Sequence, residues 1–161
     1  MTRRTPSPRW RQLLVAIILL ALGWASYVVS VQYGLLLPHE FALRVLGGVL
    51  IVIGVAIRVV AFVEIPNTYR IETLVTTGVY AKTRNPIYLS FMLIFIGIAV
   101  FSAAVLALVW ACVCVAVLYW IAALEETDLE RSFGERYVQY KKTVPMFVPR
   151  FANKEPIDRS R

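Results

Sequence analysis

Apolar and polar positions along this chain fall into long blocks. Four apolar runs stand out: Leu13 to Val31, Phe41 to Val63, Pro86 to about Val100, and Ala103 to Leu124. The first offers about 19 residues, close to the roughly 20 that a helix needs to cross a hydrocarbon core. It reads as a retained first span and not a cleaved signal, because it lacks a small-residue cleavage site before the chain turns apolar again. The third run is short. About 15 residues give roughly 22 Å of helix, against a core of roughly 30 Å. Either this helix starts below the interface, or residues 86–124 form a hairpin that turns near 101–103. Pro38 marks the first connection, and Pro66 is expected to stop the second helix.

Inside the second run, Gly47 and Gly54 are seven residues apart and share a helix face, which predicts close helix packing. Two arginines interrupt the same run. Arg44 lies near its outer end and can snorkel. Arg58 lies about a turn and a half from the inner end, and either snorkels or faces a polar site.

Two polar blocks separate and follow these runs: LVTTGVYAKTRNPIY, Leu74 to Tyr88, and EETDLERSFGERYVQY, Glu125 to Tyr140. Asn85-Pro86 reads as a helix start, with Asn as cap and Pro at the first helical position. From Glu125 the chain reads as an amphipathic helix to about Lys142. Leu129, Phe133, Tyr137 and Tyr140 recur at spacings of three and four and lay an apolar stripe on one side. The expected fold class is therefore all-α. It is a single polytopic membrane domain with about four transmembrane helices, a cytoplasmic polar loop, a C-terminal amphipathic helix and a loose tail over 151–161.

Composition agrees with this pattern. Apolar residues make up 59% of the 161, too many for an ordinary soluble domain. The net charge of +7 sits in clusters beside the apolar runs. Arg3, Arg4, Arg9 and Arg11 precede the first; Arg70, Lys82 and Arg84 follow the second; Arg131, Arg136, Lys141, Lys142 and Arg150 follow the fourth. With four spans, the positive-inside rule places the N-terminus, the central block and the C-terminal tail together on the cytoplasmic side. The basic residues then serve topology and anionic lipid headgroups; no nucleic-acid signature is present, and no nucleic-acid partner is expected. Cys112 and Cys114 point in different directions on a helix and should not pair. His39 has no nearby Cys or His, so no metal site is expected.

The polar blocks suggest chemistry at one membrane face. A helix N-terminus at Arg84-Asn85-Pro86 offers free N–H groups, a positive dipole end and a guanidinium fork, a setting that can hold a carboxylate or phosphate or simply cap the helix. Glu125 and Glu126 are adjacent carboxylates at the bilayer edge, costly unless solvated or paired. They suit ribose hydroxyls, an ammonium or a sulfonium, or else begin an exposed helix. Dinucleotide, P-loop, nucleophile-elbow and zinc motifs are all missing.

Together these blocks resemble one family. LVTTGVYAKTRNPIYL is similar to a segment of the isoprenylcysteine carboxyl methyltransferase and phospholipid methyltransferase superfamily, and EETDLERSFGERYVQYKKTVPMFVP is similar to its C-terminal segment. The resemblance covers roughly residues 64–150. It implies an integral-membrane methyltransferase that uses S-adenosylmethionine without a Rossmann domain. By position, Leu74, Val75, Gly78 and Tyr80 would line the cofactor, and Arg84, Asn85, Pro86 and Tyr88 would hold its methionine end. Glu125 and Glu126 would contact the cofactor's polar part or orient the substrate, and Arg131 would lie near the acceptor. The implied acceptor is lipophilic and membrane-embedded, an isoprenylcysteine-like carboxylate or a lipid headgroup. Asn85 stands where the eukaryotic prenylcysteine enzymes carry His, and the small basic chain points to a bacterial cytoplasmic membrane. Two other readings compete: an NADPH-dependent membrane reductase of sterol-reductase type, and a non-catalytic membrane scaffold.

Overall fold

In the computed structural model, residues 9–64 and 74–148 are described, the side chains of 9–16 excepted. The expected stop at Pro66, the tail, and the charges at Arg3, Arg4, Arg70 and Arg150 lie outside the described residues.

The described chain is helical: α1 Arg9–Gln32, α2 Glu40–Glu64, a 3-10 turn Gly78–Ala81, α3 Pro86–Ser102, α4 Val105–Phe133 and α5 Glu135–Thr143. By length and apolar composition, α2 and α4 qualify to cross a membrane; Pro86–Ser102 is apolar but shorter. Of the two alternatives for 86–124, the hairpin turning near 101–103 is seen: it forms at Ala103, whose left-handed backbone (φ 51°) closes α3. One boundary differs from the sequence reading. α4 does not end before Glu125; it continues to Phe133, and Gly134 (φ 56°) separates it from α5. The change to polar composition does not break a helix, because Glu, Leu and Arg are good helix formers; only glycine easily takes the required backbone turn.

The two short connections are tied together at one end. Leu37 N–H donates to Ala103 carbonyl at 2.8 Å, Val105 N–H donates to Leu35 carbonyl at 3.1 Å, and Leu36 bridges Ala104. The free ends of α2, α3 and α4 therefore meet at the opposite end. Each packed pair has its own device. Along α2, Gly47, Ile51, Gly54, Arg58 and Ala61 recur at fours and threes and face α3. A side chain at Gly47 would approach the Gly97 carbonyl to 2.6 Å, and one at Gly54 would approach Ser90 carbonyl to 2.9 Å. The shared face of Gly47 and Gly54 is thus a helix seam. Between α3 and α4 lies a core that includes Met92, Phe95, Trp110, Cys114 and Leu118. Trp110 carries this core onto α1: its ring covers Gly23, and its indole N–H donates to Leu19 carbonyl at 2.9 Å. The two cysteines are unpaired, Cys112 exposed and Cys114 buried. Arg44 pairs with Glu40 one turn away at 2.7 Å, both exposed.

Candidate active site

Twenty-one residues of α4, about 31 Å of rise, separate Val105 at the tied end from Glu126. Glu126 therefore reaches the far polar end on a helix long enough to span. It is buried there, and its carboxylate is fully engaged. Arg84 approaches it as a fork: Nε donates to Oε1 at 2.8 Å and Nη2 to Oε2 at 3.0 Å. The Asn85 amide adds a third bond, to Oε1 at 2.8 Å. The Arg84 and Glu126 side chains are only 8% and 6% exposed, so this pair is not a weak surface bridge. Lys141 lies 4.0 Å from Glu126 and 3.3 Å from Glu130.

The remaining Arg84 nitrogen, Nη1, donates to the carbonyls of Lys141 (2.9 Å) and Val144 (2.6 Å), the end of α5. The chain after α5 then runs beside residues 83–85. Arg84 N–H donates to Pro145 carbonyl (3.0 Å), Asn85 N–H to Met146 carbonyl (3.2 Å), and Thr83 hydroxyl to Met146 carbonyl (2.9 Å). Phe147 continues this strap against Tyr119 on α4, ring centroids 6.0 Å apart. The sequence suggested an anion at the Arg84-Asn85 helix start. That start does receive a carboxylate, and it is the chain's own Glu126. Asn85 is the residue before α3 and Pro86 its first helical residue, as expected, but the Asn85 side chain reaches Glu126 and makes no cap bond.

The 74–81 loop is held from two sides. Tyr140 hydroxyl donates to Tyr80 carbonyl at 2.6 Å. From α2, Glu64 accepts the Val79 N–H at 2.6 Å, and its carboxylate fills the space that a side chain at Gly78 (φ 60°) would need. Glu64 was not singled out in the sequence. A carboxylate as the last residue of a helix opposes the helix dipole, and that local conflict is the signal that could have found it. Leu74 packs with Leu129 and Phe133 against buried Tyr137, Tyr140 and Val144. The stripe read as one amphipathic helix is thus preserved across the break at Gly134. Val75 is half-buried on the same loop. Burial pushes the Tyr140 phenol up to about 12, with the Arg84 charge opposing the shift. Burial also raises Tyr137, helped by the Glu126 carboxylate and opposed by Arg84.

Glu125 stands apart from its neighbour. It is half-buried and lies beside the Tyr88 hydroxyl, across α3 and α4. Adjacent carboxylates thus have different settings, one consumed by Arg84 and Asn85, the other beside a single phenol. Arg131 is not brought into this cluster; it is 75% exposed and pairs with Asp128 at 3.6 Å on its own helix. A cavity of about 220 Å³ opens at this end, lined by Arg84 and residues 141–146. Among the described residues, no three or more His, Cys, Asp or Glu side chains gather to hold a metal ion.

A solved eukaryotic intramembrane Ras methyltransferase, isoprenylcysteine carboxyl methyltransferase, shares the fold with a TM-score of 0.65 at 21% identity, over 91% of this chain and 54% of that one. Methanethiol S-methyltransferase 1 of Bradyrhizobium diazoefficiens is 39% identical over 74 residues, 46% of this chain and 25% of that protein. The chain thus spans about a quarter of that curated relative's length. The phospholipid methyltransferase family profile matches residues 42–136, from the start of α2 through the Glu125-Glu126 pair into α5. With more than half its length inside that match, this chain belongs to the phospholipid methyltransferase family of membrane proteins.

Proposed function

We propose that this protein transfers a methyl group from S-adenosylmethionine to a lipophilic acceptor embedded in the membrane, an isoprenylcysteine-like carboxylate or a lipid headgroup. One observation carries the reading: the two polar segments that resemble the family meet around Glu126 at the end of a membrane-length helix. In this reading the four long helices all span the membrane. The N-terminus, the 74–85 loop and α5 face the cytoplasm, in a bacterial cytoplasmic membrane.

The residues fit such a donor. When bound, S-adenosylmethionine supplies a methyl group on a positively charged sulfur. Leu74, Val75 and Gly78, with Tyr80, would line it through a loop held at both sides by Glu64 and Tyr140. Lys141, beside the cavity, offers a cation for an amino-acid carboxylate. Arg84 and Asn85 act one step back, because their donors are already spent on Glu126 and the strap. They hold Glu126 in place, and Pro86 fixes where α3 begins. Glu125 is the carboxylate left to meet substrate, with the Tyr88 phenol beside it. Positioning and exclusion of water at the apolar edge supply most of the acceleration. A carboxylate acceptor is already anionic and needs no base; an amine acceptor would give its proton to Glu125. Arg131, exposed and paired with Asp128, takes no part.

The test is calorimetric titration of the detergent-purified protein with S-adenosylhomocysteine, beside Glu125→Gln and Arg84→Ala. The expected result is saturable binding that Arg84→Ala weakens. Glu125→Gln should keep the fold and lower methyl transfer at least tenfold. No binding to a folded protein with lipid restored would remove S-adenosylmethionine as the donor.

A further inference from the structure

Arg58 is a charged residue on an apolar helix that the candidate active site leaves unused. It lies on the α2 stripe that faces α3, between Gly54 and Ala61. Six residues, about 9 Å of rise, separate it from Glu64, which bonds the polar loop. Its guanidinium carbon sits 4.7 Å from the centre of the Phe91 ring. Phe91 is five residues, about 7.5 Å, inside the start of α3, so both residues lie at the same shallow depth below the polar end. Helical side chains tilt toward their own N-termini. On these antiparallel helices, Arg58 leans away from the polar end and Phe91 leans toward it, which brings the two together and works against snorkelling.

The partners of Arg58 are what set it apart. Arg44, Arg84 and Arg131 each reach a carboxylate. Arg58, on an apolar helix, reaches none among the described residues and makes no hydrogen bond there; its guanidinium meets only the ring, whereas Arg136, also without a carboxylate, is exposed on α5. A guanidinium with unused N–H donors at that depth calls for an acceptor beyond the described residues. Phe91 holds it in one place by stacking on Phe95, which in turn packs on Trp110. Beside it, Val55 and Val52 are exposed one and two turns toward the membrane centre, an apolar track for acyl chains.

We propose that Arg58 is the phosphate subsite of a lipid-binding site on the α2–α3 pair. A glycerophospholipid seats its phosphate on the guanidinium above Phe91 and lays a chain along Val55 and Val52. This is a resident lipid, and the proposal stands whether or not the methyl donor and acceptor named above are correct.

The full chain in mild detergent, stripped of lipid, is titrated calorimetrically with dihexanoyl phosphatidylglycerol below its micelle concentration. Dihexanoylglycerol, which has the same chains and no phosphate, and inorganic phosphate are the comparison probes. Wild type should bind the phospholipid saturably and neither comparison probe. Arg58→Met should weaken binding at least tenfold while circular dichroism shows an unchanged helix melt. Arg58→Lys, which keeps the charge and loses the fork, should weaken it several-fold, and it decides the matter if Arg58→Met does not fold. Undiminished binding by whichever of these variants folds overturns the proposal. Equal binding of inorganic phosphate, lost in the variants, overturns the lipid and leaves a free-anion site.

Discussion

The α2–α3 seam and the polar end of the helices are both closely packed, for opposite reasons. At the seam, Gly47, Gly54 and Gly97 omit side chains so that two backbones can approach. At the polar end, Arg84, Asn85 and Glu126 bring long polar side chains together and leave Glu126 almost no water. The seam is intolerant of an added atom. The polar end is intolerant of a lost charge. The comparison also explains why one end can carry chemistry. In lipid, apolar contacts gain little from excluding water, so packing shape alone orders the seam. The polar end is ordered by directional bonds, which can place a reacting group.

Glu126→Ala breaks the polar end and carries the largest effect. It leaves the Arg84 guanidinium buried opposite an empty space, and breaking a buried pair in this way costs about 3–5 kcal/mol. The thermal midpoint in detergent should fall sharply, and the strap at 144–147 should become open to protease. Glu126→Gln keeps an oxygen for Asn85 or Arg84 and should fall less. Glu125→Ala, one residue away, should barely move the midpoint, because Tyr88 is the partner it loses. Equal losses at the two carboxylates would refute the division of roles between them.

Gly47→Val tests the seam by addition. Its side chain would meet Gly97 carbonyl and the Phe101 backbone, neither of which can rotate away. Overpacking of this kind costs about 1–3 kcal/mol, read as a lower denaturation midpoint. Gly48→Ala is the matched control: a Cβ there meets nothing within 4 Å and should be neutral or slightly stabilising.

These two regions were unequally legible in the sequence. The seam was readable because Gly47 and Gly54 share a face by helical arithmetic alone. The α3–α4 hairpin was readable because its apolar run was too short to span unaided. At the polar end, sequence supplied the participants Arg84, Asn85 and Glu126 but not their pairing, since residues 84 and 126 come together only through the whole helical hairpin. Spacing alone could not separate Glu125 from Glu126. Neighbours on a helix point about 100° apart, and which of them faced Arg84 depended on how α4 was rotated about its axis. The resemblance implies that Arg131 lies near the acceptor; on its own helix it is exposed and pairs with Asp128. Glu64 is hard to read from sequence because its partner, the Val79 N–H, is a backbone group with no side-chain signature.

That contact links the two regions, since α2 supplies both the seam and the carboxylate. Glu64→Ala removes a charged hydrogen bond that contributes about 1.5 kcal/mol. The loop at 74–81 should then be cut faster by protease and bind S-adenosylhomocysteine more weakly, with the helix melt little changed. Glu64→Gln retains an acceptor oxygen and should restore most of the binding. If both variants behave as wild type, the loop is held from the Tyr140 side alone.

Tyr140→Phe is the smallest change and tests that other side. It removes the hydroxyl bond to Tyr80 carbonyl, a neutral bond that contributes about 0.5–1.5 kcal/mol. Its signature is pH. Burial holds the folded phenol at about 12, above its ordinary value of 10, while the Arg84 charge pulls the other way. The folded state therefore favours the protonated phenol, and the stabilisation is complete below pH 10. It declines as pH rises from 10 toward 12, because the unfolded chain releases its proton first. Tyr137, also raised by burial, contributes in the same direction. The wild-type midpoint should stay flat from neutral pH to about 10 and then fall. Tyr140→Phe should start slightly lower and fall less steeply, since one of the two raised α5 phenols is then gone. Parallel curves for the two proteins above pH 10 would mean that the Tyr140 phenol is in contact with water, and that the loop and α5 are not joined through it.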